Sequence, residues 1–148
     1  MKTLNQIMTK DPACCTPDDK ITDAARIMAD RGIGSMPIVE SKDKKRLLGM
    51  ITDRDITCRL VAKGSDINGA HVRDAMSDKV FSVKSDASVD DCCASMREHK
   101  VRRMPVVDNN GDCCGIVSQA DVARALPGMK AGELLSDISQ PSRQTAKA

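Results

Sequence analysis

The chain has 148 residues, 41% of them apolar and 30% charged, a composition typical of a globular protein with a buried core. Its 23 basic and 21 acidic residues leave a net charge of +2, which excludes a strong overall field toward nucleic acids or acidic membranes. Phe81 is the only aromatic residue, which excludes modules that stack bases on aromatic side chains. With no apolar signal segment near residues 1–6 and no apolar run long enough for a membrane span, we expect a cytoplasmic protein.

The first half of the chain predicts a strand, helix, strand, strand, helix order. Apolar residues recur at helical spacing from Ile21 to Ala29, and the helix that they predict ends at Gly32. Thr52 precedes the last helix of this half, in the position of a capping residue. The other elements are predicted at residues 13–16, 36–39 and 47–51 (strands), 53–62 (helix) and 65–70 (linker).

The second half of the chain repeats the first. Met8-Thr9 aligns with Met76-Ser77, and the run from Met36 to Val39 aligns with the run from Met104 to Val107. Each copy is too small to bury a large core alone, so we expect the two copies to pack on one another. The elements of this half are predicted at residues 80–83, 104–107 and 113–117 (strands), 89–99 and 119–126 (helices) and 139–148 (disordered tail).

Each copy has a hydroxyl residue and an aspartate at the start of its last helix, as Thr52 with Asp55 and Ser118 with Asp121. This spacing fits a capping box, in which the two side chains bind each other's backbone N–H groups. The same residues suit a nucleoside phosphate, because a helix N-terminus and a hydroxyl donate to phosphate and a carboxylate accepts from ribose hydroxyls. The spacing by itself leaves both interpretations open.

Together, these repeated features resemble a tandem pair of cystathionine-β-synthase-type (CBS) domains, the Bateman module. The resemblance covers residues 2–126 and is carried by the openings at residues 7–9 and 75–77, the two Met-Pro strands, and Gly-h-h-[Thr/Ser]-x-x-Asp, where h is apolar. It implies a mixed α/β (α+β) fold of two pseudo-symmetric CBS repeats, each a small three-stranded sheet with two packing helices. The domains implied are residues 1–64 and 71–127, followed by a short flanking helix at residues 128–138, as in small stand-alone bacterial CBS proteins.

The resemblance also implies ligand-binding residues in clefts between the repeats. CBS domains often place a basic residue before Met-Pro against a ligand phosphate, which makes Arg102 and Arg103 the phosphate candidates; the alternative is an arginine that faces solvent or pairs with an acid. The first copy has small neutral residues here, so we expect the second site to bind a polyanionic nucleotide better. The weaker candidates are Thr16 and Lys84 after the leading strands, and Ile33 and Val101 as aliphatic walls for the base.

Three adjacent cysteine pairs, at residues 14–15, 92–93 and 113–114, fit the spacing of zinc sites poorly, and no metal site is expected. Most of these cysteines align with alanine, valine or leucine in the other copy, which predicts small core residues. Cys14 aligns with Ser82 and Cys58 with Arg124, so these two are the possible redox thiols.

The implied function is a regulatory, non-enzymatic module that binds AMP, ADP, ATP or S-adenosylmethionine and signals by conformational or oligomeric change. The resemblance further implies a homodimer and an unidentified protein partner. We expect no required cofactor, and the composition and charge predict no membrane or nucleic-acid partner. The alternative is a thiol-responsive, stress-related interaction module with vestigial ligand clefts. The sequence contains no Ser/His/Asp, metal-ligand or Gly-x-x-x-x-Gly-Lys pattern that predicts an enzyme.

Overall fold

The computed structural model of the protein describes residues 2–139, and this part of the chain divides into two compact units. The first unit contains residues 11–80 and 109–113, and the second contains residues 2–10, 81–108 and 114–139. No helix among the described residues is long and apolar enough to cross a membrane. The predicted disordered tail lies outside the described residues, apart from Ser139 at the end of the last helix.

Helices and strands alternate along the chain, which confirms the predicted mixed α/β fold class. The helices are α1 (Leu4–Ile7), α2 (Ile21–Arg31), α3 (Asp53–Ile56), α4 (Val89–His99), α5 (Gln119–Ala125) and α6 (Gly128–Ser139). The strands are β1 (Thr9–Lys10), β2 (Ser35–Val39), β3 (Leu47–Thr52), β4 (Val83–Lys84), β5 (Arg103–Val107) and β6 (Cys113–Ser118). A π-helical turn spans Thr57–Val61, and 3-10 turns span Ile67–Gly69 and Val72–Asp74.

The first unit packs α2 against an antiparallel hairpin. Strand β2 pairs with β3, with Ser35 opposite Thr52 and Ile38 opposite Gly49, and every residue of β2 is buried. Helix α2 ends where Gly32 takes the left-handed conformation, at a φ of 63°, which glycine adopts without a steric cost. The buried core of the unit consists of apolar residues from several of its elements and connecting segments: Cys15, Ile21, Ala24, Met28, Met36, Ile38, Ile51, Leu60, Ala70, Val72 and Ala75.

The second unit is built on a four-stranded sheet with the order β1-β6-β5-β4. Strand β4 runs parallel to β5, and β1 runs antiparallel to β6. Helix α6 contributes Leu134 and Ile138 to the core, which also contains Leu4, Val89, Cys92, Cys93, Met96, Met104, Val106, Val117 and Val122. Ion pairs hold α6 to α4, including Arg97 to Asp137 at 2.6 Å and Lys130 to Asp90 at 3.2 Å.

The strand counts differ from the predicted pair of three-stranded sheets. The leading strand of the first copy is reduced to one parallel bridge between Cys15 and Ile38, because Pro12 and Pro17 lack the N–H groups that a longer ladder needs. In the second copy the leading strand begins at Val83, not at residue 80. The predicted helix over residues 53–62 is α-helical only over its first four residues and then continues as a π-helical turn.

The opening segment of each copy packs on a strand of the other copy, within one unit. Residues 9–10 of β1 pair with β6, and a Cβ built on Gly115 would lie 2.5 Å from the Met8 sulfur. In the first unit, Ser77 bridges to Met50, and a Cβ on Gly49 would strike the Ser77 carbonyl oxygen. The same contact occurs in both copies and explains why each strand has glycine there: a Cβ would crowd the opening segment, most severely at Gly49, where it would meet backbone.

Candidate functional site

Both hydroxyl–aspartate motifs form capping boxes in the structure. In the first unit the Thr52 hydroxyl accepts from the Asp55 N–H at 3.0 Å, and the Asp55 carboxylate accepts from the Thr52 N–H at 3.0 Å. In the second unit the corresponding bonds join Ser118 and Asp121, at 3.2 and 2.9 Å. The capping role predicted from the spacing is therefore confirmed, and any ligand role must coexist with it.

Each aspartate has its second carboxylate oxygen turned to an arginine one helical turn later. The Asp121 Oδ1 accepts from the Arg124 Nη2 at 2.9 Å, and Arg124 is largely exposed. The Asp55 Oδ1 lies 3.7 Å from the Arg59 Nε, while the Arg59 Nη1 donates to the Met76 carbonyl at 2.9 Å. An exposed arginine is a weakly held partner, so a ligand hydroxyl can compete for the oxygen of Asp121.

A backbone hydrogen bond ties each capping box to the residues that precede Met-Pro. The Gln119 N–H donates to the Arg102 carbonyl at 2.7 Å, and the Asp53 N–H donates to the Gly34 carbonyl at 2.9 Å in the same way. The bond places the Arg102 backbone beside the first residue of α5, directly after Ser118. In the second unit, the structure thus brings the backbone of Arg102 next to a local motif that follows much later in the sequence, Ser118 with Asp121.

The two units differ in charge around this hydrogen bond. Arg102 and Arg103 are exposed, and neither guanidinium has an ion-pair or hydrogen-bond partner within the part of the chain that the structure describes. Arg103 is the first residue of β5, whereas the corresponding Ser35 is buried at the start of β2. The second unit therefore presents unpaired positive charge where the first presents small neutral residues, which favours an anionic ligand in the second.

Gln119 is a residue that the sequence patterns missed. Its side-chain oxygen is buried and has no hydrogen-bond partner among the described residues. A buried acceptor without a partner is costly, because it has given up its hydrogen bond to water. Its position directly after the capping Ser118 was visible in the sequence, but the lack of a partner depends on the packing around it.

The four weaker candidates take separate positions. Thr16 is half-buried, and its N–H donates to Asp19 Oδ2 at 2.9 Å. Lys84 pairs with Val107, at the opposite end of β5 from Arg103, so the two side chains start about 13 Å apart along the strand. Ile33 and Val101 are half-buried and pack against the core of their own unit, which is the ordinary packing role beside any role as an aliphatic wall.

The aromatic ring of Phe81 stacks on His99, with ring centroids 3.5 Å apart and planes within 8°. Phe81 itself is 48% exposed. One face of the ring is thus covered by the imidazole, and the ring lies far in sequence from the capping-box motifs. The core side chains that flank the Ser118–Asp121 motif, Val117 and Val122, are aliphatic.

All seven cysteines are free thiols. Cys58 is exposed, Cys14 and Cys114 are half-buried, and the remaining four are buried: Cys15, Cys92, Cys93 and Cys113. Burial raises the pKa of the Cys15 and Cys92 thiols to about 12, so both remain protonated and unreactive. Among the described residues, no group of three or more His, Cys, Asp or Glu side chains could hold a metal ion.

Comparison with known proteins relates the chain to one family. A family model described as "CBS domain" matches residues 4–62 and 72–128. Hypoxic response protein 1 of Mycobacterium tuberculosis is 36% identical over 141 residues, which cover 95% of this chain and 96% of that protein. A crystal structure of hypoxic response protein I, with two coordinated zinc ions, matches at a TM-score of 0.75 and 36% identity, covering 85% of this chain and 100% of that one.

Two further similar structures contain adenosine-type ligands. CBSX2 of Arabidopsis thaliana in complex with AMP has 25% identity and a TM-score of 0.72, with 84% of this chain and 96% of that one covered. The CBS domain pair of MJ0100 in complex with 5'-methylthioadenosine and S-adenosyl-L-methionine has 27% identity and a TM-score of 0.72. The match covers 84% of this chain and 98% of that one.

Proposed function

Because this chain belongs to the CBS-domain family, we propose that it is a regulatory, non-enzymatic module that binds an adenosine-type nucleotide and signals the occupancy of its sites. One observation carries the proposal: the backbone bond from Gln119 to Arg102 gathers a hydroxyl, a carboxylate and unpaired guanidinium charge in the second unit. AMP in CBSX2, and 5'-methylthioadenosine with S-adenosylmethionine in MJ0100, support this class of ligand.

In the second unit, each group has a role that its chemistry suits. Arg102 and Arg103 bind the phosphates, since a guanidinium matches phosphate oxygens with two parallel hydrogen bonds. Ser118 adds a hydroxyl donor, and Asp121 accepts from the ribose hydroxyls when Arg124 gives up its hold on the carboxylate. The buried oxygen of Gln119 offers an acceptor to a ligand hydroxyl or amino group, which would give it the partner it lacks.

The first unit supports a weaker and less charged site. Thr52, Asp55 and Thr16 provide hydroxyls and a carboxylate, but Gly34 and Ser35 stand where the second unit has its arginines. Such a set suits a nucleoside or a thioether nucleoside better than a polyphosphate. Ile33 in this unit, and Val101 in the second, offer aliphatic surface to the base, and Lys84 is available to a more distant part of the ligand.

A module of this kind acts by population shift, so the ligand must bind one arrangement of the protein more tightly than another. We propose a homodimer as the assembled form and an unidentified protein partner as the reader of the bound state. No cofactor beyond the nucleotide is required by this scheme. The seven free thiols are consistent with a reducing compartment such as the cytoplasm.

The test is isothermal titration of the full chain with adenosine, AMP, ADP, ATP and S-adenosylmethionine. We expect the wild type to bind AMP more tightly than adenosine. The variants Arg102→Gly and Arg103→Ser give the second copy the residues of the first. One of them, or both together, should weaken AMP binding by about 10- to 100-fold, because one charge-assisted contact is lost. Adenosine binding should stay unchanged.

Lys42→Ala is the matched control, since Lys42 is an exposed basic residue on the turn between β2 and β3. It removes the same charge and should leave both affinities unchanged. Absence of binding by the wild type to every ligand would refute the proposed function. If the double arginine variant keeps the wild-type ratio of AMP affinity to adenosine affinity, the assignment of the phosphate site is refuted.

A further inference from the structure

Two cysteines that are distant in the sequence meet in the first unit. The Cys113 side chain lies close enough to the Cys14 thiol to act on it, and the Cys14 thiol donates to the Pro12 carbonyl at 3.3 Å. Cys113 aligns with Leu47 of the other copy and lies at the first position of β6, where a core residue is expected. The contact makes it a partner of Cys14 as well.

Backbone hydrogen bonds hold both cysteines in place. The Cys113 N–H donates to the Lys45 carbonyl at 2.7 Å, and Asp112 forms an antiparallel bridge with Arg46. Next to Cys14, the Cys15 N–H donates to the Pro37 carbonyl at 3.1 Å, and the Val39 N–H donates to the Cys15 carbonyl at 2.8 Å. Each cysteine therefore lies on a backbone segment that is hydrogen-bonded to the β2–β3 hairpin or its turn.

The surroundings of Cys14 favour its thiolate. The hydrogen bond from Cys113 and the positive charge of Lys45 lower the pKa of Cys14 below its ordinary value, although burial and Asp11 act in the opposite direction. Burial instead raises the pKa of Cys15, Cys92, Cys93 and Cys114. Cys14 is also half-exposed, so an oxidant can reach it.

We propose that Cys14 and Cys113 form an oxidisable dithiol, which a hydroperoxide converts into an intramolecular disulfide within the first unit. The Cys14 thiolate attacks one peroxide oxygen; the O–O bond breaks, water leaves after protonation, and Cys14 becomes a sulfenic acid. The Cys113 sulfur then attacks the Cys14 sulfur, loses its proton and expels a second water. Two thiols lose two electrons, and hydrogen peroxide is reduced to two waters.

The bridge would join two segments that reach the first unit from different parts of the chain. Residues 11–16, which carry Thr16, would be linked covalently to residues 109–113, the turn between β5 and β6 and the start of β6. Cys14 and Cys58 are the possible redox thiols that the sequence indicates. The proposed bridge gives Cys14 a partner and does not involve Cys58. It does not depend on nucleotide binding.

The experiment oxidises the reduced full chain with one equivalent of hydrogen peroxide in the presence of a chelator, and then blocks free thiols with N-ethylmaleimide. Peptide mapping without reductant should find Cys14 linked to Cys113, with two of the seven thiols lost and both restored by dithiothreitol. Because each linked peptide also holds a neighbouring cysteine, mapping is repeated in Cys15→Val with Cys114→Leu, the residues of the other copy.

Cys58→Ser is the matched control and should still form the bridge, whereas Cys14→Ser should lose it. Cys113→Ala should leave Cys14 as a sulfenic acid that dimedone traps; if this variant does not fold, the wild-type map alone decides. The proposal is overturned if oxidation gives dimers linked through Cys58, or sulfinic acid at Cys14 with Cys113 recovered as a blocked free thiol.

Discussion

At the scale of single residues, one aspartate serves both the fold and the proposed site. Asp121 accepts from the Ser118 N–H at 2.9 Å and so caps α5, while its other oxygen faces Arg124. Asp121→Ala therefore removes one of the two hydrogen bonds of the capping box, which costs on the order of 1 kcal/mol of stability, together with any contact to a ligand. The exposed Arg102 and Arg103 have no such structural bond through their guanidinium groups, so their variants report on binding more directly.

Gln119→Met removes the buried side-chain oxygen that has no partner among the described residues and keeps a similar side-chain length. We expect the free energy of unfolding to stay unchanged or to rise by about 1 kcal/mol, because the desolvation cost of the unpaired oxygen disappears. Nucleotide affinity should fall. Urea unfolding and titration calorimetry measure the two effects.

Gln6→Met is the control for this substitution, since the Gln6 side-chain oxygen accepts from the Thr3 N–H at 2.9 Å. Here the change breaks a satisfied bond and should lower stability. If Gln119→Met destabilised the protein as much as Gln6→Met, the oxygen of Gln119 would have to be satisfied in solution.

Lys100→Gly should stabilise the protein by about 0.5–1 kcal/mol, as measured by urea unfolding. Lys100 ends α4 at a φ of 53°, the left-handed conformation in which a Cβ is disfavoured, and Gly32 takes the same position after α2 at a φ of 63°. The reverse change, Gly32→Ala, should destabilise through its backbone alone, since a Cβ there meets no atom within 4 Å. A loss of stability in Lys100→Gly would mean that the lysine side chain makes a compensating contact.

At the scale of elements, the opening segments decide how each unit is completed. The strand β1 comes from the start of the first copy, yet it extends the sheet of the second unit beside β6. Met76 and Ser77, the corresponding residues of the second copy, lie against β3 in the first unit. The exchange means that neither unit is formed by one contiguous copy, and it places two glycines under steric constraint.

Gly49→Ala should cost about 1–3 kcal/mol of unfolding free energy, because the new methyl group would strike the backbone carbonyl of Ser77. Gly115→Ala should cost less, since its nearest neighbour is the flexible Met8 sulfur at 2.5 Å and the Thr9 carbonyl lies at 3.0 Å. Gly132→Ala is the control: it lies inside α6 with no atom near its Cβ position and should gain up to about 1 kcal/mol. Equal losses at Gly49 and Gly115 in thermal or urea unfolding would contradict the steric argument.

At the scale of the whole molecule, the near-neutral net charge conceals a local excess of positive charge. The second unit concentrates exposed basic side chains before β5, where the first unit has glycine and serine. Thiols are distributed through both cores, with Cys15 in the first and Cys92 in the second, both almost fully buried. The positive charge bears on the proposed ligand preference. The buried thiols make the stability of the protein depend on pH in the alkaline range.

Stability should fall as pH rises from 8 to 10. The thiols of Cys15 and Cys92 have an ordinary pKa of 9.0 and a folded pKa of about 12, so above pH 9 the unfolded chain releases protons that the folded protein keeps. Deprotonation thus favours unfolding, by on the order of 1 kcal/mol for each thiol at pH 10. Urea unfolding under reducing conditions at both pH values measures the loss.

The control variant replaces each thiol by the residue of the other copy, as Cys15→Val with Cys92→Ala. The free energy of unfolding of this variant should fall distinctly less between pH 8 and pH 10, because the two buried thiols no longer titrate on unfolding and only other groups contribute. An unchanged pH dependence would show that these thiols do not titrate on unfolding.

The sequence by itself determined the features that depend on local or periodic order. Helices α2 and α4, the Met-Pro strands and both capping boxes follow from spacing within a few residues, where chain geometry fixes which groups can meet. The internal repeat is visible when the two halves of the sequence are aligned with each other. The membership of the CBS family was visible for the same reason, since its motifs are short and occur twice.

Only the tertiary structure decided which distant segments meet. The sequence contains no local signal that β1 completes the sheet beside β6, that Cys113 contacts Cys14, or that the Gln119 oxygen has no partner among the described residues. Such contacts join residues far apart in the chain, and their geometry depends on how whole elements pack. The capping Ser118 was readable from its neighbours, whereas its place beside Arg102 depends on one backbone hydrogen bond that closes only when the second unit is folded.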